Sequence, residues 1–187
     1  MYEGHMRLLK YVMAVVLLIV LVLVAAIFWW EEGYRQVTFV DRAAPTILID
    51  DIKSYWSVDQ FTQYLHQRSQ QFEVGKEFGA TFDSRPPHLF VEVQVKSYGH
   101  YGVEGKLIGT FFNNRLSTIL FYPANIDLYL KHLCTEAKLD LVNSSEILEP
   151  ELHRRIWIHP DHTEGRYVGW EDTRLRDEMD LWIKRYS

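Results

Sequence analysis

The chain has 187 residues, of which 48% are hydrophobic, 14% aromatic and 24% charged, with a formal net charge of −5. That composition excludes a disordered chain, and a single cysteine, Cys134, excludes an intrachain disulfide scaffold. Beyond residue 30 there are 18 Lys and Arg against 24 Asp and Glu, once Arg7, Lys10 and Glu3 are set aside. A net charge of about −6 there argues against nucleic acid as a partner and against a polybasic grip on anionic lipid.

From Tyr11 to Trp30 the run YVMAVVLLIVLVLVAAIFWW carries no charge. Twenty residues at about 1.5 Å each reach about 30 Å, the thickness of a bilayer's hydrocarbon core. Tyr11 and Trp29–Trp30 stand where amphipathic rings favour the headgroup layer, Arg7 and Lys10 precede the run, and Glu31–Glu32 follow it. The positive-inside rule then puts residues 1–10 in the cytoplasm and everything after the run on the other side. A cleaved signal peptide is the competing reading, with Val24-Ala25-Ala26 as the small-residue site, but the apolar run is longer than an ordinary h-region. A core helix apolar all round would be unusual in so small a domain. The run has no small-xxx-small pattern and no polar residue inside it, so it reads as a signal anchor and plain tether. Met6 is a second possible start.

Residues 31–56 read as a juxtamembrane segment with two β-prone runs, Gln36–Val40 and Thr46–Ile49. Ser57-Val58-Asp59-Gln60 has the form of a capping box, opening a helix to about Arg68 with Val58, Phe61 and Leu65 on one face and Tyr64 beside them. Strands follow: Phe72–Phe82, broken by glycines, then His88–Lys96 after Pro86-Pro87, with Leu89, Val91, Val93 and Val95 sharing a face. A loop holding Gly99, Gly102 and Gly105 leads to Leu107–Phe112 and Leu116–Tyr122, which flank the turn Asn113-Asn114-Arg115. Asn125 caps a second helix whose stripe is Ile126, Tyr129, Leu130, Leu133, Cys134 and Ala137. The polar stretch Asn143–Glu151 is the one place where a domain boundary could fall. Arg155–His159 and Arg166–Trp170 form a hairpin, and Asp172 or Thr173 caps a last helix with Leu175, Met179, Trp182, Ile183 and Tyr186 inward. Arg174/Glu178 and Arg176/Asp180 are i, i+4 pairs expected on its wet face.

Candidate chemistry is sparse. Ser97–Lys106 is not a phosphate loop, because Gly99 and Gly105 have five residues between them where four are needed and Leu107 replaces the magnesium-binding hydroxyl. Its Tyr98, His100 and Tyr101 can instead present rings and polar tips as a ligand-binding lip. Trp170, in the Tyr167–Asp172 segment, joins them as a binding candidate, and with Trp157 and Trp182 it can form an aromatic cluster. His153, His159 and His162 have the donor chemistry for zinc or another divalent transition metal. No Gly-x-Ser-x-Gly elbow occurs, and Cys134 sits on an apolar stripe.

The expectation is an α+β chain: one N-terminal transmembrane helix (11–30), then an antiparallel sheet packed against about three helices, with the extracytoplasmic domain over 57–187. Its expected role is a single-pass, membrane-tethered interaction module or accessory subunit. Residues 11–30 would sit in the lipid bilayer of a bacterial inner membrane. The periplasmic domain would meet a protein or envelope partner without catalysis or cofactor. The rival is a metal-assisted hydrolase built on His153, His159 and His162.

Overall fold

The computed structural model describes residues 12–26, 44–79, 88–161 and 165–186. The chain divides into two compact units, 1–40 and 41–187. In the first, residues 12–26 form a helix, α1, and all of them are exposed. Tyr11, Ile27–Trp30 and the charged flanks of the expected membrane span lie outside the described residues, as do Gln36–Val40, Pro86-Pro87 and His162. Among the described residues, no helix is long and apolar enough to cross a membrane.

The second unit is α+β. Seven strands form one sheet: β3 (Phe72–Gly79), β4 (Leu89–His100), β5 (Val103–Phe112), β6 (Arg115–Pro123), β7 (Glu146–Glu149), β8 (Arg154–Asp161) and β9 (Gly165–Asp172). Their spatial order is β3-β4-β5-β6-β9-β8-β7, and each neighbouring pair is antiparallel. Two meanders, β3–β6 and β7–β9, thus join along β6 and β9, and the chain between them carries α3 (Ile126–His132). A separate ribbon, β1 (Ile47–Ile49) with β2 (Ile52–Lys53), precedes α2 (Val58–Gln67). The last element is α4 (Thr173–Tyr186).

Local signals account for many of these bounds. Ser57 accepts from Gln60 N while the Gln60 side chain returns to Ser57 N, a complete capping box on α2. Asn125 accepts from Leu128 N and opens α3, which continues into a π-turn, Leu133–Ala137. The β5–β6 turn is Asn113-Asn114, both at positive φ, a backbone that asparagine tolerates well.

One face of the sheet carries the core. Val93, Val95, Leu107, Phe111, Ile119, Phe121, Val168 and Trp170 pack with Phe61 and Leu65 of α2, Tyr129 and Leu133 of the α3 segment, and Leu48, Ile49 and Ile52 of the ribbon. At roughly 1.5–3 kcal/mol per fully buried large apolar side chain, this layer is the main source of stability. The ribbon falls in the stretch expected to be juxtamembrane, yet its three apolar side chains are core residues and the compact unit begins at 41. On the opposite face α4 meets the sheet through Arg115–Glu178 and Glu171–Arg176 contacts.

Several expectations are corrected. The glycine-rich segment is no loop: β4 and β5 run on through Gly99 and Gly105 to a two-residue turn, Tyr101-Gly102, at φ 47° and 70°. The polar stretch at 143–151 is no boundary but contains β7, an edge strand on β8. Glu178 is buried and pairs with Arg115, while Arg174 turns back to Asp172; the Arg176–Asp180 pair does form, at 2.8 Å.

Candidate functional site

A β-bulge builds the site. Along β4, Val91, Val93 and Val95 face the core, so strict alternation would send Tyr98 and His100 outward. Between Val95 and Tyr98 the register with β5 slips by one, and Tyr98 and His100 turn inward. Both are buried, as is Trp170 on β9. Gly105, opposite Tyr98, makes room beneath them: a Cβ there would sit 2.8 Å from the Phe121 ring. His100 is then enclosed by the rings of Tyr101, Tyr129, Trp170 and Phe121, with centroids 4.4, 5.6, 5.9 and 6.0 Å away.

A polar chain threads this aromatic shell. His100 Nδ1 lies 2.5 Å from the Tyr129 hydroxyl, and its Nε2 lies 3.4 Å from Asp50 Oδ1. The Tyr98 hydroxyl donates to Asp50 Oδ2 at 2.6 Å. Tyr129 is fully buried, and His100 Nδ1 is the acceptor within its reach, so the phenol donates and Nδ1 accepts. In a neutral imidazole the remaining proton is on Nε2 and points at Asp50. Burial lowers the His100 pKa to about 4, against an opposing pull from Asp50, so the ring is neutral near pH 7. Burial, and for Tyr98 also the bond to Asp50, pushes both tyrosines well above their usual range, so neither is a phenolate nucleophile.

Asp50 is the open end of this chain. It sits in the Asp50-Asp51 turn of the ribbon at φ 49°, with Ile49 and Ile52 buried on either side. Its side chain is 31% exposed, against 6% for His100. Beside it lies a cavity of about 340 Å³, whose lining includes Asp50, His100, Tyr101 and Trp170, the apolar Leu133, Ala137 and Leu139, and the Glu149–Arg154 pair. Arg154 is held by Glu149 at 2.5 Å and by Ile47 O at 3.0 Å.

The structure therefore brings together His100, Tyr101 and Trp170 at one cavity, with Tyr98 joined to them through Asp50. The three tryptophans do not form one cluster. Trp157 lies over Gly169 on the opposite face of the sheet from Trp170, and Trp182 packs against His88, centroids 4.0 Å apart. Two of the metal candidates, His153 and His159, stay apart too. His153 caps a 3-10 turn at φ 50° and His159 stacks on Tyr167, six residues further along β8 or roughly 20 Å away at the rise of a strand. Among the described residues, no group of three His, Cys, Asp or Glu is placed to hold a metal ion.

Asp50 and Tyr129 are functional candidates that the sequence did not single out. Two acids between two β-prone runs are the mark of a two-residue turn, and a tyrosine in an apolar helical stripe needs a partner for its hydroxyl. Comparison with protein-family models and with curated proteins found no match.

Proposed function

We propose that this protein is a single-pass, membrane-tethered binding module. Residues 11–30 hold it in a bacterial inner membrane, the N-terminus is cytoplasmic, and the unit over 41–187 is periplasmic. There it takes a ligand, or a segment of an envelope partner, at the Asp50–His100–Tyr101–Trp170 cavity. The observation that carries the tether is the exposure of α1 on every side. Its Val, Leu, Ile and Met side chains are between 43% and 69% exposed, and a lone helix cannot cover its own flanks. At about 0.3–0.6 kcal/mol for each Leu, Ile, Val or Phe near mid-bilayer, the thirteen such residues in 11–30 favour insertion by several kcal/mol. The binding half is supported by a cavity that joins apolar walls to a few convergent polar groups.

Membrane fractions extracted with alkaline carbonate test the tether. The protein is expected in the pellet, and Leu18→Arg with Leu21→Arg is expected to move it to the supernatant, since each arginine costs about 2.5–3.5 kcal/mol at mid-bilayer. A C-terminal alkaline phosphatase fusion is expected to be active and a β-galactosidase fusion inactive. Complete extraction of the unaltered chain, or the reverse fusion pattern, overturns the reading.

A further inference from the structure

We infer that the cavity beside Asp50 selects a small organic cation, an alkylammonium group, held by the Asp50 carboxylate and the faces of Tyr101 and Trp170. This rests on the reading of that cavity as a binding site and names what it takes.

Charge accounting within the cavity leads there. Its lining contains two carboxylates and one guanidinium. Arg154 is already committed to Glu149 and to the Ile47 carbonyl. Asp50 receives only neutral groups: the Tyr98 hydroxyl and the nearby imidazole of His100. Among the described residues, no lysine or arginine pairs with Asp50. The cavity therefore has one uncompensated negative charge, on its most exposed polar group.

Surrounding chemistry narrows the cation. A divalent metal needs several oxygen or nitrogen ligands, and no such group is assembled among the described residues. The remaining lining is aromatic and aliphatic: Tyr101, Trp170, Leu133, Ala137 and Leu139. Ring faces attract a weakly hydrated ammonium, and methylene walls accept its alkyl groups. A volume of about 340 Å³ admits a small ligand of this kind. The backbone supports the same placement, since Tyr101 holds φ 47°, a conformation unfavourable for a bulky residue, at the first position of its turn. Asparagine or glycine would suit that position better, yet a tyrosine holds it and lines the cavity.

The test uses full-length protein in a maltoside detergent, whose headgroup carries no ammonium. Choline and its uncharged isostere 3,3-dimethyl-1-butanol are titrated by ligand-observed NMR. Choline is expected to bind at least about tenfold more tightly than the alcohol. Asp50→Asn is expected to erase that difference, and Tyr101→Ala to weaken both ligands. The comparison of the two probes on the unaltered protein needs no variant to fold. Equal binding of both probes overturns the cation assignment and leaves the cavity a binding site. Saturable binding of neither removes the binding site itself, and the cation with it.

Discussion

Two aspartates of the domain, Asp172 and Asp50, look alike in sequence and behave oppositely in the fold. Asp172 is fully buried and accepts from Ser54 at 2.8 Å and from two nitrogens of Arg174 at 2.9 and 2.6 Å. Arg174 goes on to the Thr46 hydroxyl and the Ala44 carbonyl, and Ser54 caps the Thr46 amide. The circuit is closed, and it pins the β1–β2 ribbon to the junction of β9 and α4. Asp50, at the far end of the same ribbon, meets only neutral donors and faces a cavity. A compensated, dry carboxylate organises the fold. An uncompensated, half-open one is available to something else.

Breaking the closed circuit gives the largest expected effect. Asp172→Ala takes from the Arg174 guanidinium its only carboxylate partner among the described residues and removes the acceptor for the Arg174 amide at the start of α4. Severing a buried pair of this kind costs about 3–5 kcal/mol. A urea titration of the full-length protein in detergent should show the midpoint falling accordingly. A loss below about 1 kcal/mol would make the circuit incidental.

The open network should reveal itself through pH. An unfolded histidine titrates near its ordinary value of 6.5, whereas folded His100 resists protonation down to about 4. Between those limits the unfolded state binds more protons, so stability falls as pH falls from 6.5 towards 4 and levels off below. A shift of this size corresponds to roughly 3 kcal/mol over the window. His100→Gln should flatten that slope whatever its effect at pH 7, and an unchanged slope would assign the pH dependence to other groups. Tyr129→Phe is expected to cost about 1–3 kcal/mol at pH 7, because it leaves Nδ1 of a buried imidazole without its donor. A cost near zero would mean that the Tyr129 hydroxyl is not the donor that fixes the ring.

The contrast between the two carboxylates is also a contrast in what a sequence discloses. Asp172 as a helix cap, the Ser57–Gln60 box, the Asn113-Asn114 turn and the α3 stripe are all local, set by residues within four positions of one another, and they are legible without a structure. The site depends on a slip of one residue between β4 and β5, which no residue type announces and which reverses the direction of Tyr98 and His100. The glycines there invite the reading of a loop, although Gly105 serves to admit Phe121. β7 is not legible because a four-residue edge strand with glutamates at both ends resembles a polar linker. Glu178 is hard to place from sequence for a related reason. Its i, i+4 spacing from Arg174 is real, but Arg174 pairs with Asp172 and Glu178 with Arg115 of β6.

The smallest expected effect on stability is the one that tells most about function. Asp50→Asn retains an oxygen that can accept from Tyr98 or from His100, and its partly exposed side chain can shed the other contact to water. It removes no ion pair with lysine or arginine that the described residues show. The expected change in the urea midpoint is therefore less than about 1 kcal/mol, against about 3–5 for Asp172→Ala. The pH slope sharpens this further. Asp50 pulls the His100 pKa upward, so Asp50→Asn should lower it and carry the loss of stability to a lower pH. A large loss at pH 7 with no movement of the window would place Asp50 with Asp172 as a structural pin. A small loss with the window displaced would leave its charge free for a ligand.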